Sequence, residues 1–291
     1  FAGAGIANIM LTNQVTDRAK ASRLAKLALS STIGVCVDSP RHVELLAAAA
    51  RDHRSSLDVF IEIEVGGGRC GVVSPMDAVA LAKSISGFTQ LRFAGLQAYN
   101  GRAQHIAEAP ARLAALRETV AKTGAFTAAL QSAGLRCDRI TGGGTGSAGV
   151  DVDLGCLNEL QCGSYALMDA HYLSLSYPSG QPVFSPALFV VATVVSVRPP
   201  NHIVIDAGLK SMAFDSGPPL VFGNVNLKYK SASDEHGVLL AAPGSQAPAL
   251  GDRLCLVPGH CDPTIALHKR LYGVKDGRIA AVWPVVGRGE W

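Results

Sequence analysis

Over roughly its first 170 residues the chain alternates short, β-branched apolar runs with alanine-rich stretches of helical period, and past Pro186 that alternation stops. Such alternation lays strands side by side in parallel, because each crossover helix returns the chain to the same end of the sheet. The spacing predicts six strands, at 8–11, 32–37, 58–65, 93–99, 137–142 and 159–163, with helices at 17–30, 41–53, 75–86 and 108–134. Beyond 186 come the runs 187–197 and 202–206, broken by Pro199-Pro200, Gly217-Pro218-Pro219 and Asp276-Gly277, which are turn signals between antiparallel strands. The reading is α/β: a (β/α)8 TIM-like barrel short of its first units over 1–180, then a mainly antiparallel β domain over 181–291. The break falls near Tyr177-Pro178-Ser179-Gly180.

With 48% hydrophobic residues among 291, the chain can bury the cores that two domains need. A net charge of +3 without any basic run, and only 6% aromatics, argue against a nucleic-acid or membrane surface and leave a small molecule as the expected partner. Seven scattered cysteines without a C-x-x-C pair read as reduced thiols, which suits the cytoplasm and leaves an organelle open. The opening Phe1-Ala2-Gly3-Ala4-Gly5-Ile6 has no signal-peptide pattern, and no apolar run is long enough for a bilayer.

Thr141-Gly142-Gly143-Gly144-Thr145-Gly146-Ser147 follows the fifth strand. Glycines there let backbone N–H groups approach an anion, and the Thr145 and Ser147 hydroxyls add donors, so a phosphate fits; a turn without ligand fits the same letters. No Gly-Lys-Ser/Thr follows, which excludes a Walker loop. Near the other end, Gly259-His260-Cys261-Asp262-Pro263-Thr264 sets a His and an Asp two apart. In an extended segment both would share a face with Cys261 turned away, and the pair suits a hard divalent cation, Mn²⁺ ahead of Mg²⁺. A turn His followed by an Asp capping Pro263-Thr264 is the alternative.

Three further positions belong to strand ends. Ile61-Glu62-Ile63-Glu64-Val65-Gly66-Gly67-Gly68-Arg69 delivers Arg69 toward a barrel mouth, to meet a ring, an anion or solvent. Gly95-Leu96-Gln97-Ala98-Tyr99-Asn100-Gly101 presents Gln97 and Tyr99, the aromatic stacking on a ring or plugging the core. His105 follows within reach of the same mouth, as a general base or a structural imidazole at a helix entry.

Taken in order, residues 65–72, 95–101, 140–147, Glu159-Leu160-Gln161-Cys162-Gly163-Ser164-Tyr165, Asp206-Ala207-Gly208-Leu209-Lys210-Ser211, Asp234-Glu235-His236-Gly237 and 257–264 resemble the D-threonine aldolase family. These are pyridoxal-phosphate enzymes of the alanine-racemase-like fold type, and the resemblance spans most of the chain. It implies a barrel holding pyridoxal 5'-phosphate, a β domain closing the site, a divalent metal and a homodimer. By position it implies Arg69 at the pyridine nitrogen, Tyr99 at the ring, Gly143, Gly144, Thr145 and Tyr165 about the phosphate, and Gln97 and Ser164 among the cofactor-binding residues. His260 and Asp262 would hold the metal, and either His105 or a metal-bound hydroxide would serve as base. The resemblance also implies a Schiff-base lysine on the first barrel strand, in an Arg-Pro-His-like context. No lysine here has those neighbours, and Lys210 belongs to the β-domain motif, so that lysine and two strands are expected before Phe1.

The activity implied is cleavage of D-β-hydroxy-α-amino acids, of the D-threonine type, to glycine and an aldehyde. A D-serine or 3-hydroxyaspartate dehydratase and a 3-hydroxyaspartate aldolase of the same superfamily share most of these motifs. In the dehydratases the second metal ligand resembles Cys, so Asp262 favours the aldolase. A non-catalytic pyridoxal-phosphate carrier is a third reading, opposed by the His260/Asp262 pair in an elaborated β domain.

Overall fold

A computed structural model describes residues 1–180 and 184–288, and the chain divides into two compact units between Cys162 and Gly163. Parts of the range expected for the β domain, 181–183 and 289–291, lie outside the described residues.

The first unit runs β1 (Asn8–Leu11), α1 (Arg18–Leu27), β2 (Thr32–Val37), α2 (Pro40–His53), β3 (Leu57–Glu62), α3 (Pro75–Ser86), β4 (Leu91–Ala98), α4 (Ala109–Ser132), β5 (Arg139–Gly142), α5 (Ala148–Leu154) and β6 (Glu159–Leu160). The six strands pair in parallel in sequence order, a curled half-barrel of α/β units. A closed barrel of this kind takes eight. Every residue of β3 is buried, as expected for a strand covered on both faces. Local chemistry starts the helices where the sequence placed them. Ser39 and Ser74 accept the N–H of Arg41 and Met76, at 3.3 and 3.2 Å, and Pro40 and Pro75 occupy the first helical turn, where a missing N–H costs nothing.

Strand ends differ from the sequence reading for a local reason. The strand expected at 58–65 stops at Glu62, because the Glu64 carboxylate accepts the N–H groups of Gly66 (2.5 Å) and Gly68 (2.8 Å) and folds the chain into a turn. The strands expected at 137–142 and 159–163 shorten to Arg139–Gly142 and Glu159–Leu160. Deeper in the sheet, the buried Asp58 carboxylate is held by Arg92 and, at 3.0 Å, by Arg139, whose guanidinium lies 4.5 Å from the Phe60 ring centre. A buried charge needs such partners.

The second unit begins with α6 (Ala170–Leu173) and then β7 (Val190–Arg198), β8 (His202–Ile205), β9 (Leu220–Val221), β10 (Leu227–Ala232), β11 (Gly237–Ala241) and β12 (Arg253–Val257). These strands close an antiparallel barrel in the order β10-β11-β8-β7-β12-β9. Alternate side chains, among them Ala192, Val194, Ile203, Ile205, Leu239 and Leu256, fill its interior. α7 (Cys261–Leu267) follows, then β13 (Arg270–Lys275) and β14 (Arg278–Pro284), paired across Asp276-Gly277, both at positive φ as a tight hairpin requires. The motifs 206–211 and 234–237 prove to be one structure: Leu209 and Lys210 donate their N–H groups to the carbonyls of Ser233 (2.9 Å) and Asp234 (3.1 Å). Lys210 pairs with Glu235 at its exposed tip. Among the described residues no helix is long and apolar enough to cross a membrane.

Gly95 sits in β4 at φ +150°, and a Cβ there would overlap the Arg139 carbonyl of β5. Gly95→Ala should therefore cost about 3–5 kcal/mol in urea unfolding. A loss below about 1 kcal/mol would show that the two strands can separate freely.

Candidate active site

At the C-terminal ends of the parallel strands, Thr12, Asn13, Gln14, Glu62, Arg69, Cys70, Gln97, Tyr99 and Gln161 line a cavity of about 480 Å³. This is the end of such a sheet where ligands bind, since the following loops can diverge there. Three residues expected from the sequence meet here: Gln97 is buried at the end of β4, and the Arg69 guanidinium carbon lies 5.2 Å from the centre of the Tyr99 ring. Two residues that the sequence reading did not single out complete the wall. Gln14 donates to the buried Glu62 carboxylate, and Gln161 donates to Gln97 and, at 3.0 Å, to the Thr141 hydroxyl. Burial raises the Glu62 pKa above the ordinary carboxylate value, against the pull of Gln14 and Arg69. Its only sequence signal was a polar residue recurring at every second position of an otherwise apolar strand.

Gln161 also joins this cavity to the glycine loop, because its N–H donates to the Gly142 carbonyl at 2.8 Å. The loop is packed tightly from within. A Cβ on Gly143 would lie 2.5 Å from Asp151 Oδ2, and one on Gly144 would lie 2.7 Å from Gln104 Oε1. Gly143 also has φ +65°, so only glycine serves there without strain. Ser147 is the hub beneath: its Oγ accepts the Gly144 N–H (3.2 Å) and Gln104 Nε2 (2.7 Å) and donates to Asp151 at 2.5 Å. Gln104 Oε1 is buried with no hydrogen-bond partner among the described residues. A side-chain-free backbone braced by hydroxyls is a cradle that fits a phosphate group.

His105 ends a turn, Arg102–His105, is exposed, and is not among the residues lining the cavity. The turn is fixed by the fully buried Arg112 of α4, which donates to the Ile106 (2.5 Å) and Ala107 (3.3 Å) carbonyls.

In the second unit, Ser164 and Tyr165 share a turn, Ser164–Ala166. The Ser164 hydroxyl bonds the Cys261 thiol, and the Tyr165 ring packs 5.3 Å from Phe184. The cation motif is not the extended segment anticipated above. His260 is extended, at φ −143°, ψ 124°, but it caps α7, and Asp262 already lies in that helix's first turn. Pro263 one residue later suits a helix start, which explains the departure. Cys261 is buried and Asp262 exposed. His260 Nδ1 is engaged by Asp215 Oδ2 at 2.6 Å. Among the described residues no three or more His, Cys, Asp or Glu side chains are grouped to hold a metal. One imidazole and one carboxylate, those of His260 and Asp262, would suit a hard cation that keeps water or substrate in its other positions.

Known proteins match both units. A family model described as the alanine racemase N-terminal domain matches residues 3–170, and one described as "Putative serine dehydratase domain" matches residues 187–274. A D-threonine aldolase from Arthrobacter sp is 42% identical over 289 residues, 99% of this chain and 76% of that protein. The chain belongs to the D-threonine aldolase family. A 3-hydroxy-D-aspartate aldolase from Paracoccus denitrificans (strain Pd 1222) is 41% identical over 295 residues, covering all of this chain and 76% of its own length. The crystal structure of D-threonine aldolase from Filomicrobium marinum superposes with a TM-score of 0.94 at 41% identity, over 99% of this chain and 78% of that one.

For this member of the D-threonine aldolase family, the brace under the loop has a pH signature. Burial lifts the Asp151 carboxyl from 3.8 to about 6, the Ser147 hydroxyl pulling the other way. The folded state therefore binds this proton more tightly than the unfolded state. The stabilisation is complete below pH 3.8 and is lost as pH rises through 6. Relative to Asp151→Asn, the wild type should lose on the order of 2–3 kcal/mol across that window and nothing more above it. Unfolding midpoints of both proteins at several pH values check this, and a difference that stays constant would contradict it.

Proposed function

We propose that this carbon-carbon lyase cleaves D-β-hydroxy-α-amino acids between Cα and Cβ, giving glycine and an aldehyde. The observation that carries the reading is identity of 41–42% to two aldolases across 99–100% of the chain. Both act, by name, on D-configured β-hydroxy-amino acids. Pyridoxal 5'-phosphate, when bound, supplies an electron sink for the electrons left on Cα. A divalent cation, manganese or magnesium, supplies positive charge for the β-oxygen.

The chain's own residues divide the remaining work. Gly143, Gly144 and Thr145 hold the phosphate, assisted in the family's pattern by Ser164 and Tyr165. Arg69 faces the pyridine nitrogen, where its permanent positive charge disfavours protonation of that nitrogen. Tyr99 and Gln97 orient the ring, and the amide chain Gln97, Gln161, Thr141 keeps Gln97 in one rotamer. His260 and Asp262 hold the cation. His105 takes the proton from the β-hydroxyl. Two copies in the manner of a homodimer complete the working form.

Product analysis tests the reading. D-threonine should yield glycine and acetaldehyde in equal amounts, and D-3-hydroxyaspartate should yield glycine and glyoxylate, with little from the L-isomers. A chelator should reduce turnover by roughly 100-fold, the scale expected for losing a Lewis acid at a developing alkoxide, and Mn²⁺ should restore it. Oxaloacetate and ammonia from 3-hydroxyaspartate would instead identify a dehydratase.

A further inference from the structure

The loop at 206–219 is clasped onto α7 at three points. Thr264, fully buried, donates its hydroxyl to the His260 carbonyl at 2.7 Å and accepts the Ala213 N–H at 3.1 Å. His268 Nε2 lies 2.9 Å from the Ser211 carbonyl oxygen. Gly259 lies so close to Gly217 that a Cβ on it would overlap the Gly217 carbonyl. Asp215 sits in the middle of this clasp, its Oδ2 2.6 Å from His260 Nδ1, and the Ser216 hydroxyl donates to the same carboxylate at 3.1 Å. From the other side, the buried Asp169 carboxylate accepts the Cys261 N–H at 3.0 Å and the Tyr172 N–H at 2.9 Å. The backbone on both flanks of His260 is therefore fixed, and the ring's remaining freedom is its rotation and its choice of tautomer.

A carboxylate has no proton to give, so the short contact requires the proton to sit on His260 Nδ1. That leaves a lone pair on Nε2. Surface ion pairs between flexible side chains contribute little, but here both partners project from backbone that other bonds already hold, so little entropy is lost on pairing. A ligating imidazole whose second nitrogen donates to a carboxylate is the arrangement that orients the ring and raises its basicity.

We propose that Asp215 is a positioning residue of the cation site: it holds His260 in the Nδ1–H tautomer, aims Nε2 at a hard divalent cation and adds a second carboxylate charge beside Asp262. The proposal rests on the reading of His260 as a cation ligand. It assigns Asp215 no contact with substrate and no direct bond to the cation.

Two measurements on the full chain test it. In chelator at pH 8, long-range ¹H–¹⁵N correlation of histidine-labelled protein should show His260 protonated at Nδ1 and bare at Nε2, its signals assigned by their loss in His260→Ala. In Asp215→Asn the Nε2–H tautomer should become populated. Titration with Mn²⁺, read from the free-ion EPR signal, should show Asp215→Asn weakening affinity by roughly 10- to 100-fold, with part of the loss recovered in Asp215→Glu. If Asp215→Asn unfolds, the wild-type tautomer still decides: a proton on Nε2 overturns the proposal. Unchanged Mn²⁺ affinity in Asp215→Asn beside lost affinity in His260→Ala overturns the positioning role and leaves the cation reading standing. Unchanged affinity in His260→Ala overturns both.

Discussion

The close approach of β4 and β5 governs the first unit. At Gly95 and at Gly142 the two strands run so near each other that a side chain on either glycine would meet the neighbouring backbone; a Cβ on Gly142 would lie 2.5 Å from the Ala98 carbonyl oxygen. That spacing brings the end of β4, with Gln97 and Tyr99, against the start of the glycine loop. Gln161 bonds both, through Gln97 on one strand and Thr141 on the other. A looser pair of strands would separate Gln97 and Tyr99 from the glycine loop.

Beneath the loop Ser147, Gln104, Asp151 and the Gly144 N–H are bonded to one another. Asn100 shows the same economy: its amide donates to Thr119 of α4 at 2.9 Å while its oxygen accepts the Ala103 N–H at 3.2 Å, tying the end of β4 to the helix behind it. Networks of this kind hold a backbone in one geometry because a member that moves leaves its partner unpaired in a low dielectric. In the second unit Thr264 and Asp169 play the equivalent part around His260. Both candidate binding motifs are thus backbone features stiffened by buried carboxylates and hydroxyls.

Much of this was legible in the sequence because strand and helix periods are local. The starts of β1 and β2 and both ends of α3 fall where the apolar pattern puts them. Less legible were the places where a side chain redirects its own backbone. Glu64 ends a strand by bonding two glycine N–H groups, and nothing in the alternation of Ile61 to Val65 announces it. The His-x-Asp segment misled in the same way, since two residues of extended pattern cannot reveal that the second opens a helix. Long-range partners had no local signature at all: Gln104 reaches Ser147 across 43 positions and Asp215 reaches His260 across 45. The motif at 234–237 likewise has a long-range partner, since the Ser233 and Asp234 carbonyls accept the N–H groups of Leu209 and Lys210.

The account stands on a cofactor anchored by its phosphate at the glycine loop, and the most direct measurement of that is the affinity difference between pyridoxine 5'-phosphate and pyridoxine. Neither carries an aldehyde, so their binding reports the cradle alone. The phosphorylated form should bind about 100-fold tighter, the equivalent of one or two charge-assisted hydrogen bonds, and Gly144→Ala should erase most of that difference while leaving pyridoxine unaffected. Equal affinity of the two compounds for the wild-type protein would contradict the account.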